Sequence, residues 1–379
     1  MISECAQNIS PFIVMEVLER AQQMERNGEH IIHLEVGEPD FDTPKKIVYA
    51  GRAALDRGET HYTHSLGIWQ LREAIAQYYS KNYEINASPD QVIVTSGTSP
   101  ALLLALSVIL NPGNEVICAN PSYACYKNFI TYLKANANCV YVYEDDGFQY
   151  QPEEIKTKIT SNSKAILINS PSNPTGNLLS PKVMEQIASL GPIVISDEIY
   201  HGLVYGDQAH SVLEFTSNAI VLNGFSKLFA MTGWRLGYLI VPPDLVRPIQ
   251  KLQQNFFISP NAFVQWAGVT ALTEQHPEIP AMVAIYDDRR KYMIKRLREI
   301  GFKISVEPTG AFYVFANAKK YSSNSYKFAF ELLEHAKVAV TPGIDFGTNG
   351  EGFLRFSYAN SLENIAIGMD RLAQYLKAR

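Results

Sequence analysis

The segment NGFSKLFAMTGWRLGY (223–238) places a lysine among apolar residues and glycines, with an arginine eight positions on. A solvated surface lysine is poorly explained there. Held out of water, Lys227 loses its proton readily and can condense with a carbonyl as a Schiff base. Arg235 offers a forked donor to a phosphate. A second segment, QVIVTSGTSPALL (91–103), runs from an apolar strand through Ser96, Gly97, Thr98 and Ser99 into a helix opened by Pro100. Free N–H groups at such a helix start attract anions, although an ordinary capped helix has the same signature. Asp197 closes the run IVISD, where a carboxylate at a strand's carboxyl end faces the ligand crevice of an open α/β sheet. Helix caps also favour Asp there. NSPSNPTG (169–176) reads as a Pro-rich turn, but it also puts Asn173 just beyond another strand.

These residues need a scaffold, and the apolar pattern supplies one. Short runs recur at Val92–Thr95, Val116–Cys118, Val140–Tyr143, Ala165–Ile168, Ile193–Ser196, Ile220–Asn223 and Tyr238–Val241. Most are apolar on both faces, as strands covered by helices on two sides must be. Helical segments such as Pro100–Leu110 and Pro181–Leu190 lie between them, which implies an α/β layer fold with a mostly parallel sheet. The link from Asn223 to Tyr238 is too tight for a helical crossover, so the last strand is expected to be antiparallel. A large domain is expected over 43–281. A long charged helix, Tyr286–Ile300, then leads into a smaller α+β unit over 282–379, with strands at Phe312–Phe315 and Phe353–Ser357 and a closing helix Leu362–Leu376. Residues 1–42 are expected to pack on that unit.

Taken jointly, LEVGEPDFDTP (34–44), TSGTSPAL (95–102), NPSYACY (120–126), NSPSNPTG, SDEIY (196–200), FSKLFAMTGWRLGY (225–238) and FLRFS (353–357) resemble the fold type I pyridoxal-phosphate enzymes, specifically class I aminotransferases of the aspartate and aromatic kind. The resemblance covers nearly the whole chain. It implies a seven-stranded, mostly parallel sheet between helices, pyridoxal 5'-phosphate as cofactor, and amino transfer between an L-amino acid and a 2-oxo acid. By this resemblance Lys227 forms the Schiff base and shuttles the proton, and Asp197 pairs with the pyridine nitrogen. Tyr200 and Asn173 bond the ring's 3′ oxygen, and Asn173 also faces substrate. Gly97 and Thr98, with Ser96 or Ser99, cradle the phosphate with Arg235. Tyr123 stacks on the ring, Arg355 grips the substrate α-carboxylate, and a backbone group of Gly37 touches substrate. Tyr62 matches a residue that reaches the neighbouring subunit's cofactor, which implies a homodimer with shared sites. Two positions depart from the pattern. Gly224 stands where the family often has a phosphate-binding serine, and Leu252–Gln265 holds no arginine to receive a distal carboxylate.

Composition narrows the alternatives. The 379 residues carry 33 Lys+Arg against 38 Asp+Glu, a net −5 with no basic run, so neither nucleic acid nor an anionic membrane is an expected partner. No apolar stretch is long enough to span a bilayer, MISECAQNIS lacks a leader's pattern, and four unpaired-looking cysteines suit a cytoplasmic protein. The histidines show no metal-ligand spacing. β-Elimination from cysteine conjugates would use the same cofactor residues. A non-catalytic effector-binding domain on this fold would carry a winged-helix module, for which the segment before Leu34 is too short.

Overall fold

The computed structural model describes residues 2–379; Met1 lies outside the described residues. Seven strands form the central sheet: β2 (Val92–Thr95), β3 (Glu115–Asn120), β4 (Asn136–Tyr141), β5 (Ser163–Asn169), β6 (Ile193–Asp197), β7 (Ala219–Gly224) and β8 (Gly237–Ile240), following a two-residue β1 (Ile32–His33). Their spatial order is β2-β8-β7-β6-β5-β3-β4. All neighbours run parallel except β8, which is antiparallel to both β7 and β2. The short link before β8 therefore does what its length demands.

Both faces of the sheet are buried, and the period of two shows which residues face which way. Val92, Val94, Ile117, Ile166 and Ile168 belong to one core cluster, with Ile47, Leu71 and Ile75 from covering helices. Ile93, Val116, Cys118, Ala165 and Leu167 belong to the other, beneath the helix Thr98–Ile109. At the edge, β4 begins four residues earlier than its apolar run. Its first four residues, NANC, include two asparagines and are at least partly exposed, as an edge strand permits, so hydrophobicity marks only its end.

A second sheet joins β9 (Tyr313–Asn317), β11 (Thr341–Pro342) and β12 (Phe353–Ser357) in the antiparallel order β11-β12-β9. The amino-terminal strand β1 pairs in parallel with β10 (Val338–Ala339), and the helix Ile13–Arg26 packs Val17, Ala21 and Met24 against Leu333 and Ala339. The long helix spans Glu278–Ile300, starting well before Tyr286. Pro280 sits in its first turn, where N–H groups have no intrahelical partner and a proline is tolerated. The helix runs unbroken through positions 281 and 282, so no linker separates the two sheet systems there. One core cluster joins Ile199, Tyr200 and Leu203, just after β6, to Phe312, Val314, Leu354 and Phe356 of the second sheet.

Candidate active site

The carboxyl ends of β2, β5, β6 and β7 point to one edge of the sheet, the position where open α/β folds collect ligands. A cavity of about 320 Å³ opens there. Gly37, Thr98, Tyr123, Asn173, Asp197, Tyr200, Lys227, Arg235 and Arg355 all line it, although they come from segments dispersed across the whole chain.

Lys227 lies in the β7–β8 connection, and its Nζ donates to the Gly37 carbonyl at 2.7 Å. Burial lowers its pKa to about 8; Glu38 and Asp197 oppose this, while Arg355 and Arg235 reinforce it. Gly37 must be a glycine, because a Cβ there would collide with the Tyr313 hydroxyl. Asp197 ends β6 and is buried; Tyr126 Oη donates to its Oδ2 at 2.6 Å and the Ile199 N–H to its Oδ1 at 3.2 Å. Burial pushes this carboxyl up to about 6, against those two hydrogen bonds and the Lys227 charge.

Arg355, on β12, is 3% exposed. Its Nη1 donates to Asn173 Oδ1 at 2.8 Å and its Nη2 to Thr341 Oγ1 at 3.1 Å and to the Glu35 carbonyl. The guanidinium lies 4.3 Å over the Tyr313 ring, while its Nε is buried without a protein partner. Tyr313 and Tyr200 share a hydroxyl hydrogen bond of 2.8 Å.

At the other end, Thr98 and Ser99 open the twelve-residue helix beside Arg235. Gly97, with φ +94°, turns the chain into that helix, and a Cβ on it would meet Arg235 Nη2 at 2.5 Å. A Cβ on Gly237 would meet the Gly97 backbone at 2.7 Å. Two glycines thus let backbone and guanidinium close around an anion-sized cradle. That cradle, the buried carboxylate and the lysine between them fit a phosphate-bearing pyridinium.

Two expected positions, Ser96 and Gly97, do not line the cavity. The turn at Gly97 carries the chain past Ser96 and presents Thr98 and Ser99 instead. Gly97 shapes the turn that lets Arg235 approach the helix start. Tyr62 is 81% exposed, away from its own chain's cavity. Gly224 lies within β7, and a Cβ there would meet the Leu236 carbonyl at 2.9 Å, so a serine does not fit. Ser226 lines the cavity, as do Tyr126, Tyr313 and Asn169. The last three look like core or turn residues in sequence, and only the fold brings them to the site.

The chain matches the family description "Aminotransferase class I and II" over residues 29–372. It is 43% identical to a (5-formylfuran-3-yl)methyl phosphate transaminase of Methanocaldococcus jannaschii, covering 99% of this chain and 100% of that one. A solved structure from Methanococcus jannaschii, described as similar in its active site to kynurenine aminotransferases, superposes with a TM-score of 0.92 at 42% identity, covering 99% of this chain and 100% of that one. The aspartate aminotransferase of Thermus thermophilus, solved with maleate, superposes at 0.95 with 34% identity over 99% of each chain.

Proposed function

We propose roles for individual side chains from one premise: the chain belongs to the class I and II aminotransferases and is a pyridoxal-phosphate enzyme that moves an amino group between an amino acid and a 2-oxo acid. The observation that carries the assignment is the convergence of Lys227, Asp197, Arg355 and the Thr98–Arg235 cradle on one cavity.

When bound, pyridoxal phosphate supplies an electron sink for the pair left as Cα loses its proton. Thr98, Ser99, the Gly97 turn and Arg235 hold its phosphate. Asp197 would hold a proton at the ring nitrogen; its two protein donors fix its direction, and it lines the cavity. Tyr200 and Asn173 would bond the ring's 3′ oxygen, and Tyr123 would cover one face. Lys227 is the attachment point and then the base that takes and returns the proton at Cα. Burial suits it to this work, because a pKa of about 8 leaves a sizeable neutral fraction near neutrality. Arg355 receives the α-carboxylate, with Asn173, Thr341 and the Glu35 carbonyl fixing its fork. Its orientation is set before substrate arrives, which lowers the entropy lost on binding.

The donor is an amino acid with a large apolar or aromatic side chain. Phe12, Val14, Met15, Leu102 and Phe129 form that part of the lining, and the cationic residues lining the cavity are Lys227, Arg235 and Arg355, each already engaged. No further cation from this chain's described residues remains for a distal carboxylate. The enzyme works as a cytoplasmic homodimer. Tyr62, Phe256 and Ile258 are 81%, 57% and 50% exposed, an apolar set suited to a second copy.

The test is a donor panel with a fixed 2-oxo acid acceptor. Phenylalanine should exceed aspartate in kcat/KM by about tenfold or more. Aspartate as the best donor would overturn the substrate class but not the reaction.

A further inference from the structure

One wall of the cavity is built partly by residues near the amino terminus. Phe12, Val14 and Met15 line it, and the Phe12 ring meets Tyr123 edge-on at 6.1 Å between centroids. These residues open the helix Ile13–Arg26, yet no local side chain caps that helix. Its exposed N–H groups are satisfied from across the molecule. Asp345 Oδ1 accepts the Ile13 N–H at 3.0 Å and its Oδ2 accepts the Val14 N–H at 3.3 Å. On the other flank, Asn128 Oδ1 accepts the Ser10 N–H at 3.2 Å, and its Nδ2 donates to the Ser10 carbonyl at 3.1 Å.

Asp345 belongs to the short turn Gly343–Phe346 before β12, and Asn128 to the helix Cys125–Tyr132 beside the large sheet. The 10–15 segment is thus strapped between the two sheet systems and fastened by a pair of hydrogen bonds at each end. Neither fastening side chain lines the cavity; each touches only backbone of the strap. Hydrogen bonds to backbone fix where a chain runs without constraining its side-chain identities, so they set the depth of the wall.

We propose that Asp345 and Asn128 are positioning residues that select the donor's side chain by holding residues 10–15 against the cavity. The proposal rests on the reading of the donor as large and apolar. A side chain that reaches the strap gains contact with Phe12, Val14 and Met15, whereas a methyl group does not. The α-carboxylate end, held by Arg355, is common to all donors. Loosening the strap therefore weakens long apolar donors and spares short ones. A general loss of structure, or a disturbance of the neighbouring Arg355, would affect every donor alike.

The experiment uses the holoenzyme and its Asp345→Ala, Asp345→Asn and Asn128→Ala variants, with phenylalanine and alanine as donors and one fixed, saturating 2-oxo acid as acceptor. The two alanine variants should each raise KM for phenylalanine about tenfold while leaving alanine within about twofold and kcat little changed. Asp345→Asn, which keeps one acceptor oxygen, should fall between. Asn128 bonds Ser10 and shares no hydrogen bond with Arg355 or the groups that hold it, so the same split in its variant excludes an effect through the carboxylate. Amide exchange at Ile13 and Val14 should quicken in Asp345→Ala. Equal shifts for both donors, or no shift, would overturn the proposal. If the wild type used neither donor, the functional reading would fail first. The strap would then be judged on exchange alone, and unchanged exchange in Asp345→Ala would overturn it.

Discussion

Asp197 and Glu198 are consecutive residues at the end of β6, and they face opposite sides of it. Both are buried, and burial raises both carboxyls, to about 6 and about 7. Their surroundings differ in one respect. Glu198 is enclosed: Oε1 accepts from Ser196 Oγ at 3.1 Å, Ser211 Oγ at 2.9 Å and the Val212 N–H at 3.0 Å, and Oε2 accepts from Tyr79 Oη at 3.0 Å. Beside it His201, held neutral by burial, meets Tyr83 Oη at 2.7 Å. Asp197 has two protein donors and an open side toward the cavity. A perturbed pKa thus occurs equally in a structural knot and in a site. What separates the two is hydrogen-bonding capacity left facing a cavity.

The largest effect that sharpens this contrast belongs to the cavity side. Lys227→Ala should lose about four orders of magnitude in turnover, since no other residue there offers both attachment and a base for Cα. Single-turnover assays of the purified variant check it, and ordinary turnover would end the assignment. Next comes Arg355→Ala, expected to cost about 3–5 kcal/mol in KM for every donor, whatever its side chain. A loss confined to one donor would make Arg355 a side-chain reader.

On the enclosed side the expected effect is on stability. The folded pKa of Glu198 lies above its unfolded value, so its protonated form stabilises the fold below about pH 4–5, and that contribution is lost as pH rises through about 7. Glu198→Gln should flatten this fall by about 1–3 kcal/mol, read from urea midpoints between those values. Parallel curves for wild type and variant would contradict it. The smallest effect is expected at the proposed subunit boundary. Tyr62→Phe should weaken cofactor affinity by about 0.5–1.5 kcal/mol. In hybrids pairing a Tyr62→Ala subunit with a Lys227→Ala subunit, about half of wild-type activity should return, because one site collects both defects. No recovery would place Tyr62 in its own chain's site.

Much of the scaffold is legible in the sequence because it follows from local rules. Doubly apolar runs mark strands covered on both faces, and the short Asn223–Tyr238 link demands an antiparallel β8. Thr341–Pro342 is too short to show a period. Pro280 hides the start of the long helix, since a first-turn proline resembles a break. Within the site, Lys227, Asp197 and Arg235 are readable because their chemistry clashes with apolar or glycine-rich surroundings. Tyr126 and Tyr313 are not, because a tyrosine in a core segment gives no sign of what its hydroxyl will meet. Asp345 is invisible for the same reason: its partners at Ile13 and Val14 are more than three hundred residues away.

The most direct test sets the two neighbours against each other with the same chemical change. Asp197→Asn and Glu198→Gln each replace a carboxylate oxygen with an amide nitrogen in adjacent positions. Asp197→Asn should lower kcat by about a hundredfold or more with little change in thermal midpoint. Glu198→Gln should keep kcat within about threefold while the midpoint moves by several degrees. Equal losses of kcat in the two variants, with equal midpoints, would contradict the claim that an open side toward the cavity distinguishes the working carboxylate from the structural one.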